Sequence, residues 1–214
     1  MKRLSSLLPS VEENGPLTKM AEAFNELADD VNSRSTPPRL SLGKFCSACR
    51  QLSPLIGCMG IAFSFADTEF SATVDGLAKA SEAIDTIEAL IDLDIAHNAG
   101  KDSCSNSQNL IRANRSIDLV RIMCDKILAQ RGNFITDPVL TAYEQVFSPY
   151  HSLAIKTAVR ASALTLPTEA RLLRKLKENE ASASVQMQKF VIASSPVIQY
   201  INNLFHSTEY VILI

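Results

Sequence analysis

The sequence predicts an all-α protein, and three observations lead to that prediction. Apolar residues recur at intervals of three and four along almost the whole chain, the spacing that places them on one face of a helix. Runs that alternate Val, Ile or Thr with polar residues, as strands require, are absent from the sequence. Only seven glycines occur among 214 residues, so few positions favour tight turns.

The first predicted helix is amphipathic and runs from Leu17 to Val31. The paired prolines of the following stretch, NSRSTPPRLS, end it. Ser41 is the predicted N-cap of the second helix. That helix extends to about Ala66 and is apolar around most of its circumference, so we expect it to be buried, with a bend at Pro54.

The later helices follow the same spacing. A third predicted helix runs from about Asp67 to His97, and the polar stretch NAGKDSCSNSQ predicts a loop after it. The segment Asn109 to Gln130 has the clearest amphipathic pattern, with a basic side opposite its Leu, Ile and Val residues. Five shorter helices are predicted after it, at 138–147, 150–165, 168–179, 183–194 and 196–205.

Length and charge restrict the class of protein. A chain of 214 residues with 46% hydrophobic residues can bury one substantial core, so we expect one domain (17–214) after a flexible N-terminal segment (1–16). A formal net charge of -2 offers no broad attraction to nucleic acid. The start of the chain lacks the apolar core of a secretion signal, and no stretch approaches the roughly 20 apolar residues of a membrane span. We therefore expect a cytosolic protein.

Cofactor and catalytic signatures are missing from the sequence. Cys46 and Cys49 form a CxxC pair, but Cys58, Cys104 and Cys124 supply no second pair for a structural zinc site, so we expect no metal. The glycine-rich phosphate loop, the GxSxG elbow and the HExxH motif are also absent. The sequence therefore predicts neither a cofactor nor an enzyme.

Polar residues on otherwise apolar helices are the remaining functional candidates. Gln108, Arg112 and Arg115 are spaced by four and three, so they share one helix face, and Glu69 and Thr73 share a face in the same way. An ordinary solvated surface would give the same spacing. A lone histidine also follows the tyrosine of SPYHSLAIK, at the first turn of the helix predicted for 150–165, where a half-buried packing role is the ordinary interpretation.

Four stretches carry a family resemblance: SPLIGCMGIAFSFADTEFSATVDGL, NLIRANRSIDLV, YEQVFSPYHSLAIKTAV and TLPTEARLLRKL. In this order and spacing they resemble the glycolipid transfer protein superfamily, and within it the plant ceramide-1-phosphate carriers associated with cell death. The similarity runs from about Leu17 to His206. It implies a two-layer all-helical sandwich whose apolar interior encloses the lipid chains, beside a polar surface site that binds the headgroup.

The resemblance also implies roles for single residues. His151 matches the family histidine that hydrogen-bonds the ceramide amide, and an imidazole N–H can donate to its carbonyl. Glu69 lies where the family has an aspartate that accepts the amide N–H. Arg112 matches the arginine of the phosphate-binding branch, where the glycolipid-binding branch has a tryptophan. Because guanidinium binds phosphate through two parallel hydrogen bonds, Arg112 favours phosphate over sugar.

Some positions depart from that branch. A family lysine corresponds to Thr73 and a family arginine to Gln108, so the site has two fewer cations to meet a phosphate of about -1.5 to -2 charge. Arg115 and Lys156 could compensate in part, or the headgroup could be less anionic or zwitterionic. Leu153 stands where the superfamily often has a membrane-touching tryptophan, so we expect weak docking.

These features together predict a non-enzymatic, monomeric carrier that moves a sphingolipid, ceramide-1-phosphate or a relative, between membranes through transient contact with their surfaces. The lipid site would comprise Glu69, Thr73, Gln108, Arg112 and His151, with Arg115 as a further candidate. One alternative is a helical interaction protein that keeps the fold but has lost transfer. Another is a lipid-modifying enzyme that uses Glu69 and His151 as acid and base.

Overall fold

Ten α-helices form the computed structural model, which describes residues 15–33, 39–60, 63–97, 105–130 and 132–207. Only isolated β-bridges accompany the helices within these ranges, and the all-α prediction is confirmed. The helices are α1 (Pro16–Asn32), α2 (Leu42–Arg50), α3 (Ser53–Gly57), α4 (Ser64–Ala80), α5 (Ile87–Ala96), α6 (Asn106–Gln130), α7 (Thr136–Val146), α8 (Leu153–Ala163), α9 (Glu169–Leu176) and α10 (Glu180–Ser207).

Five helices close a ring around the core. α1 packs on α10, α10 on α6, α6 on α4, α4 on α2, and α2 returns to α1. Because α6 also contacts α5 and α7, it is the central helix of the described fold. The interior is one continuous cluster of apolar side chains, in which Phe24 and Phe190 meet edge to face with ring centroids 4.9 Å apart. Burying each such side chain contributes about 1.5–3 kcal/mol.

The predicted first helix is confirmed as α1, and Ser41 is the N-cap of α2, where its Oγ accepts from the Lys44 N–H at 3.3 Å. The single buried helix predicted to extend to about Ala66 is wrong. The chain forms α2 and then α3, with Pro54 in the first turn of α3, where its missing N–H is not needed. α2 is also exposed along one side rather than buried all round: Lys44, Ser47 and Arg50.

The single helix predicted from Asp67 to His97 is also wrong, because α4 and α5 are separate. The backbone between them bonds elsewhere: Ile87 N–H donates to the Leu40 carbonyl, and Leu42 N–H to the Asp85 carbonyl, each at 3.0 Å. Thr86 then caps α5 by accepting from the Ala89 N–H at 3.3 Å. These bonds hold residues 81–86, between α4 and α5, out of a continuous helix. Residues 98–104 of the predicted loop lie outside the described residues, as do 1–14 and 34–38.

The break predicted between 194 and 196 does not occur, since α10 continues through Pro196. A proline inside a helix removes one backbone hydrogen bond and strains the preceding turn. α10 nevertheless buries Phe190 and Ala193 before this point, and Val197 and Ile201 after it, against α1 and α6. Packing on both sides of the proline outweighs the local cost.

The helix predicted for 150–165 begins later. Ser148–Tyr150 forms one turn of 3-10 helix, and α8 starts at Leu153 with Ser152 as its N-cap. His151 therefore lies between two helical segments, in extended backbone with φ -99 and ψ 143, and not in the first turn of a helix. No helix of the described ranges is long and apolar enough to cross a membrane.

Candidate functional site

The central helix α6 carries three of the predicted site residues near its start. Gln108, Arg112 and Arg115 lie on one of its faces, as their spacing predicts. The Arg112 side chain is exposed, and none of the described carboxylates forms an ion pair with it. It is therefore available to an external anion.

Arg115 is held more firmly than Arg112. It is half-buried, and its guanidinium lies 4.0 Å from the centre of the Tyr150 ring, in a cation-π contact. Burial lowers the pKa of Arg115, and the nearby charge of Arg112 adds to that lowering. Two cations are thus placed side by side, and none of the described acidic residues forms an ion pair with either, an arrangement that an anion would stabilise.

His151 is surrounded by aromatic side chains. Its Nδ1 lies 3.0 Å from Tyr143 Oη, and its ring stacks on Phe147 with centroids 5.7 Å apart and an interplanar angle of 20°. Both aromatic residues come from the last turns of α7 and its end, just before the 3-10 turn that delivers the histidine. The ring is half-buried, with one nitrogen already engaged.

The state of Tyr143 decides how this pair can act. Burial raises the pKa of Tyr143, so its hydroxyl stays protonated at neutral pH and can donate to His151 Nδ1. A neutral imidazole that accepts at Nδ1 carries its hydrogen on Nε2. The second ring nitrogen is then a donor suited to a carbonyl oxygen.

α4 supplies the other two candidates. The Glu69 carboxylate is exposed and has no hydrogen-bond partner among the described residues. Thr73 lies one turn later, half-buried, and its hydroxyl donates to the Glu69 backbone carbonyl at 2.8 Å. Because that bond uses its hydrogen, Thr73 in this rotamer is a poor replacement for a cationic side chain.

The candidates form two groups on neighbouring helices. One group extends across α6 and the end of α7, and each of its residues contacts or neighbours the next: Arg112, Arg115, Tyr150, His151 and Tyr143. The α4 pair stands on a helix that packs against α6, but no hydrogen bond or ion pair joins it to that series within the described chain. A ligand would have to connect the two groups.

The helices α4 and α6 approach each other closely beside the site. A Cβ placed on Gly76 of α4 would lie 3.5 Å from the side-chain nitrogen of Asn109 on α6. That distance is an ordinary van der Waals contact, so α4 and α6 touch next to the turn that carries Thr73 and an alanine would also fit at this position.

Two cavities lie away from these residues. One, of 1160 Å³, is enclosed by the end of α6, by α9 and by the start of α10. The other, of 730 Å³, lies between α2 and α4. Neither is lined by any of the six predicted site residues.

Sequence reasoning missed the aromatic surroundings of His151. Tyr143, Phe147 and Tyr150 follow one another at intervals of four and three in YEQVFSPY, a spacing that would place them on one face of a continuous helix. The structure instead uses Tyr143 and Phe147 around the histidine and Tyr150 over Arg115. Lys156 is half-buried on α8, and Leu153 is 77% exposed at its start.

Comparison with known sequences gives consistent matches. Residues 40–178 match the family model described as Glycolipid transfer protein (GLTP). Accelerated cell death 11 of Arabidopsis thaliana is 42% identical over 199 residues, which cover 92% of this chain and 96% of that protein.

Solved structures agree with these matches. A mutant of Arabidopsis ACD11 complexed with C12 ceramide-1-phosphate has a TM-score of 0.90 and 42% identity, over 94% of this chain and 99% of that one. The human ceramide-1-phosphate transfer protein, in complex with 12:0 ceramide-1-phosphate, has a TM-score of 0.76 over 92% and 98% of the two chains. Its identity is 14%, so this second likeness shows the fold alone.

Proposed function

Because this chain belongs to the glycolipid transfer protein family, we propose that it is a non-enzymatic carrier that moves a sphingolipid, ceramide-1-phosphate or a close relative, between membranes. The observation that carries the proposal is the exposed Arg112, which pairs with none of the described carboxylates and lies beside Arg115, on the helix next to His151. This arrangement suits a phosphate attached to an amide-linked lipid.

A carrier must replace the bilayer around the lipid chains. Each methylene moved into water costs about 0.8 kcal/mol, so a lipid with some twenty-five of them faces a barrier on the order of 20 kcal/mol. The apolar core would receive the chains by separating helices that are in contact in this structure. Methionine adapts its shape readily, and four methionines lie in that core: Met20, Met59, Met123 and Met187.

The amide group would be recognised by one donor and one acceptor. His151 donates from Nε2 to the amide carbonyl, with Tyr143 holding the opposite nitrogen. Glu69 accepts the amide N–H, since an ionised carboxylate is an acceptor only. The two side chains lie on different helices, so the lipid amide itself links α4 to the α7 end of the site.

The phosphate would be bound mainly by two arginines. Arg112 is exposed and free to turn toward the phosphate, and Arg115 is held nearby by Tyr150. Gln108 would contribute neutral hydrogen bonds from the same face of α6, and Thr73 would contribute one from α4 after its hydroxyl releases the Glu69 carbonyl. With two cations rather than four, binding of the headgroup is expected to be weaker than in a fully basic site.

Contact with the membrane would be brief and made by a monomer acting in the cytosol. Leu153 and Ile155 are exposed at the start of α8, directly after His151, and Tyr150 is exposed just before it. Such side chains can enter the interfacial zone without a tryptophan. An interaction protein that has lost transfer is not favoured, because a chain 42% identical to this one is bound to ceramide-1-phosphate in its solved structure.

The test is transfer of fluorescent ceramide-1-phosphate between vesicles. Arg112→Leu removes a charge-assisted contact worth about 1.5–3 kcal/mol, so we expect transfer to fall roughly tenfold or more while the melting temperature is retained. The matched control is Arg121→Leu. Arg121 lies nine residues further along α6, on the opposite face of the helix, and pairs with Asp118. Equal rates for Arg112→Leu and wild type would refute the assignment.

A further inference from the structure

We propose that the exposed face of α9, with the apolar edge at its start, is a docking surface for membranes rich in anionic lipid. The inference rests on the proposed carrier function, because it concerns where such a carrier meets the bilayer. Four cations and two exposed apolar side chains carry it, and none of them belongs to the lipid site described above.

The cations are concentrated in one short part of the chain. Arg171, Arg174, Lys175 and Lys177 lie within seven residues, and all four side chains are exposed. The described residues contain no ion pair to any of them. The net charge of the protein is -2, so the overall charge does not reveal this local positive surface.

The opposite side of α9 is fully engaged, so only the basic face is free. Leu172, Leu173 and Leu176 are buried in the core. Three acidic neighbours, Glu169, Glu178 and Glu180, line the groove toward α10; the first two are half-buried and Glu180 is exposed. Two of the three acids are thus partly withdrawn from solvent, while all four bases are exposed, although Arg174 borders the same groove.

An apolar edge lies at the start of α9. Phe134 is 69% exposed and Leu164 is 82% exposed. Their segments run side by side: Thr136 Oγ1 donates to the Ala163 carbonyl at 3.4 Å, and the Glu169 N–H donates to the Asn133 carbonyl at 3.1 Å. Exposed apolar side chains beside a basic helix are the combination that binds anionic bilayer surfaces.

The surface also lies near the lipid site along the chain. Lys175 Nζ donates to the Cys58 carbonyl at 3.0 Å, at the end of α3. The chain then continues into α4, which carries Glu69 and Thr73. Leu164 directly follows α8, whose start carries the exposed Leu153. Docking through α9 would bring the end of α3, which precedes α4 in the chain, close to the bilayer.

The test is co-sedimentation of the full chain with two kinds of vesicle: phosphatidylcholine alone, and about four parts phosphatidylcholine to one part phosphatidylserine. The test variant is Arg171→Gln with Lys177→Gln, and the matched control is Lys19→Gln with Lys79→Gln, which removes the same charge from exposed positions on α1 and α4. Leu164→Ser tests the apolar edge.

We expect wild type to prefer the anionic vesicles. The α9 variant should lose roughly thirtyfold in affinity for them, since each of its two missing basic residues contributes about 1 kcal/mol near the surface. The control should lose less than about twofold. Leu164→Ser should weaken binding to both kinds of vesicle. Equal losses for the α9 variant and its control would overturn the proposal, as would equal binding of wild type to both vesicles, which would leave an acidic protein as the partner of α9.

Failure of this proposal can be distinguished from failure of the carrier function. Native mass spectrometry of the α9 variant with ceramide-1-phosphate should show lipid loading equal to wild type. If neither protein takes up the lipid, the carrier function fails even when vesicle binding behaves as expected. If both take it up and the α9 variant binds vesicles as well as wild type does, only the proposed docking surface is wrong.

Discussion

The two sides of α6 differ in how they are held. Toward α1 and α10, large apolar side chains interlock, with Phe24 against Phe190 and Asn114 bonded to Asn202 across the helices at 2.9 Å. Toward α4 and α7, Arg112 and Glu69 are exposed, and His151 rests on a few aromatic contacts. The comparison teaches that α6 packs into the core on both sides, while the polar residues proposed for recognition lie on its α4 and α7 side. Stability and recognition should therefore be separable by mutation.

The largest expected effect is the loss of stability when a side chain of the interlocked core is truncated. Phe190→Ala opens a cavity in the interlocked core and should lower the free energy of unfolding by about 3–5 kcal/mol. Phe65→Ala is the matched control, because Phe65 is 81% exposed at the start of α4, and we expect a change within about 0.5 kcal/mol. Urea titration followed by circular dichroism measures both. Similar losses for the two variants would contradict the division.

The next largest effect is a gain in affinity for the lipid headgroup. Gln108→Arg places a third guanidinium on the face of α6 that carries Arg112 and should raise affinity for ceramide-1-phosphate by about 1.5–3 kcal/mol, or roughly tenfold or more. Ceramide, which lacks the phosphate, should bind as before.

The control for this gain is Gln130→Arg, which adds the same charge roughly 33 Å along the helix. Lipid binding can be followed by a fluorescent analogue. If both arginines raise affinity equally, the gain reflects net charge and the headgroup is not bound at the start of α6.

The fold was largely predictable because burial leaves a periodic pattern. α1, α6 and α7 appear at the expected places, since each buries one stripe against neighbours. The errors fall where distant contacts override local signals. Pro196 stays within α10 because packing holds both sides of it. Residues 81–86 are not helical because the backbone beside them bonds to Leu40 and Leu42.

The site was less predictable from the residues alone. The spacing of Gln108, Arg112 and Arg115 predicts a shared face but cannot distinguish a solvated surface from a binding site. The family resemblance supplied the roles. The aromatic support of His151 depends on a 3-10 turn that reorients the chain after α7, and no local pattern predicts which rings will meet there.

A smaller effect tests the contact between Tyr143 and His151. Tyr143→Phe removes the hydroxyl that holds His151 Nδ1 while leaving the ring in place, and should weaken lipid binding by about 1 kcal/mol, or several-fold. Tyr150→Phe is the control, since its ring still covers Arg115. Titration with ceramide-1-phosphate compares them. Unchanged binding in Tyr143→Phe would show that the histidine does not depend on this contact.

The smallest effect concerns the reactivity of the cysteines, which reports how deeply each thiol is buried. Burial raises the pKa of Cys46 to about 11 and of Cys124 to about 12, and raises that of Cys49 as well. Because only the thiolate reacts, these three should resist iodoacetamide at about pH 8. Cys58 is half-buried beside Lys175, so it should be alkylated first among the four.

Peptide mass spectrometry gives the order of alkylation. Each buried thiol has a pKa above its unfolded value, so the protection should be present at neutral pH and be lost as the pH rises toward 11. Equal alkylation of all four cysteines in the native protein would mean that the core opens more readily than its packing suggests. Cys104 lies outside the described residues.

The most direct measurement of the central claim is native mass spectrometry of the purified chain after incubation with vesicles containing ceramide-1-phosphate. The account predicts a new species heavier by one lipid molecule, strongly reduced in Arg112→Leu and retained in Arg121→Leu. A chain that stays free of lipid at every vesicle concentration, while remaining folded, would contradict it.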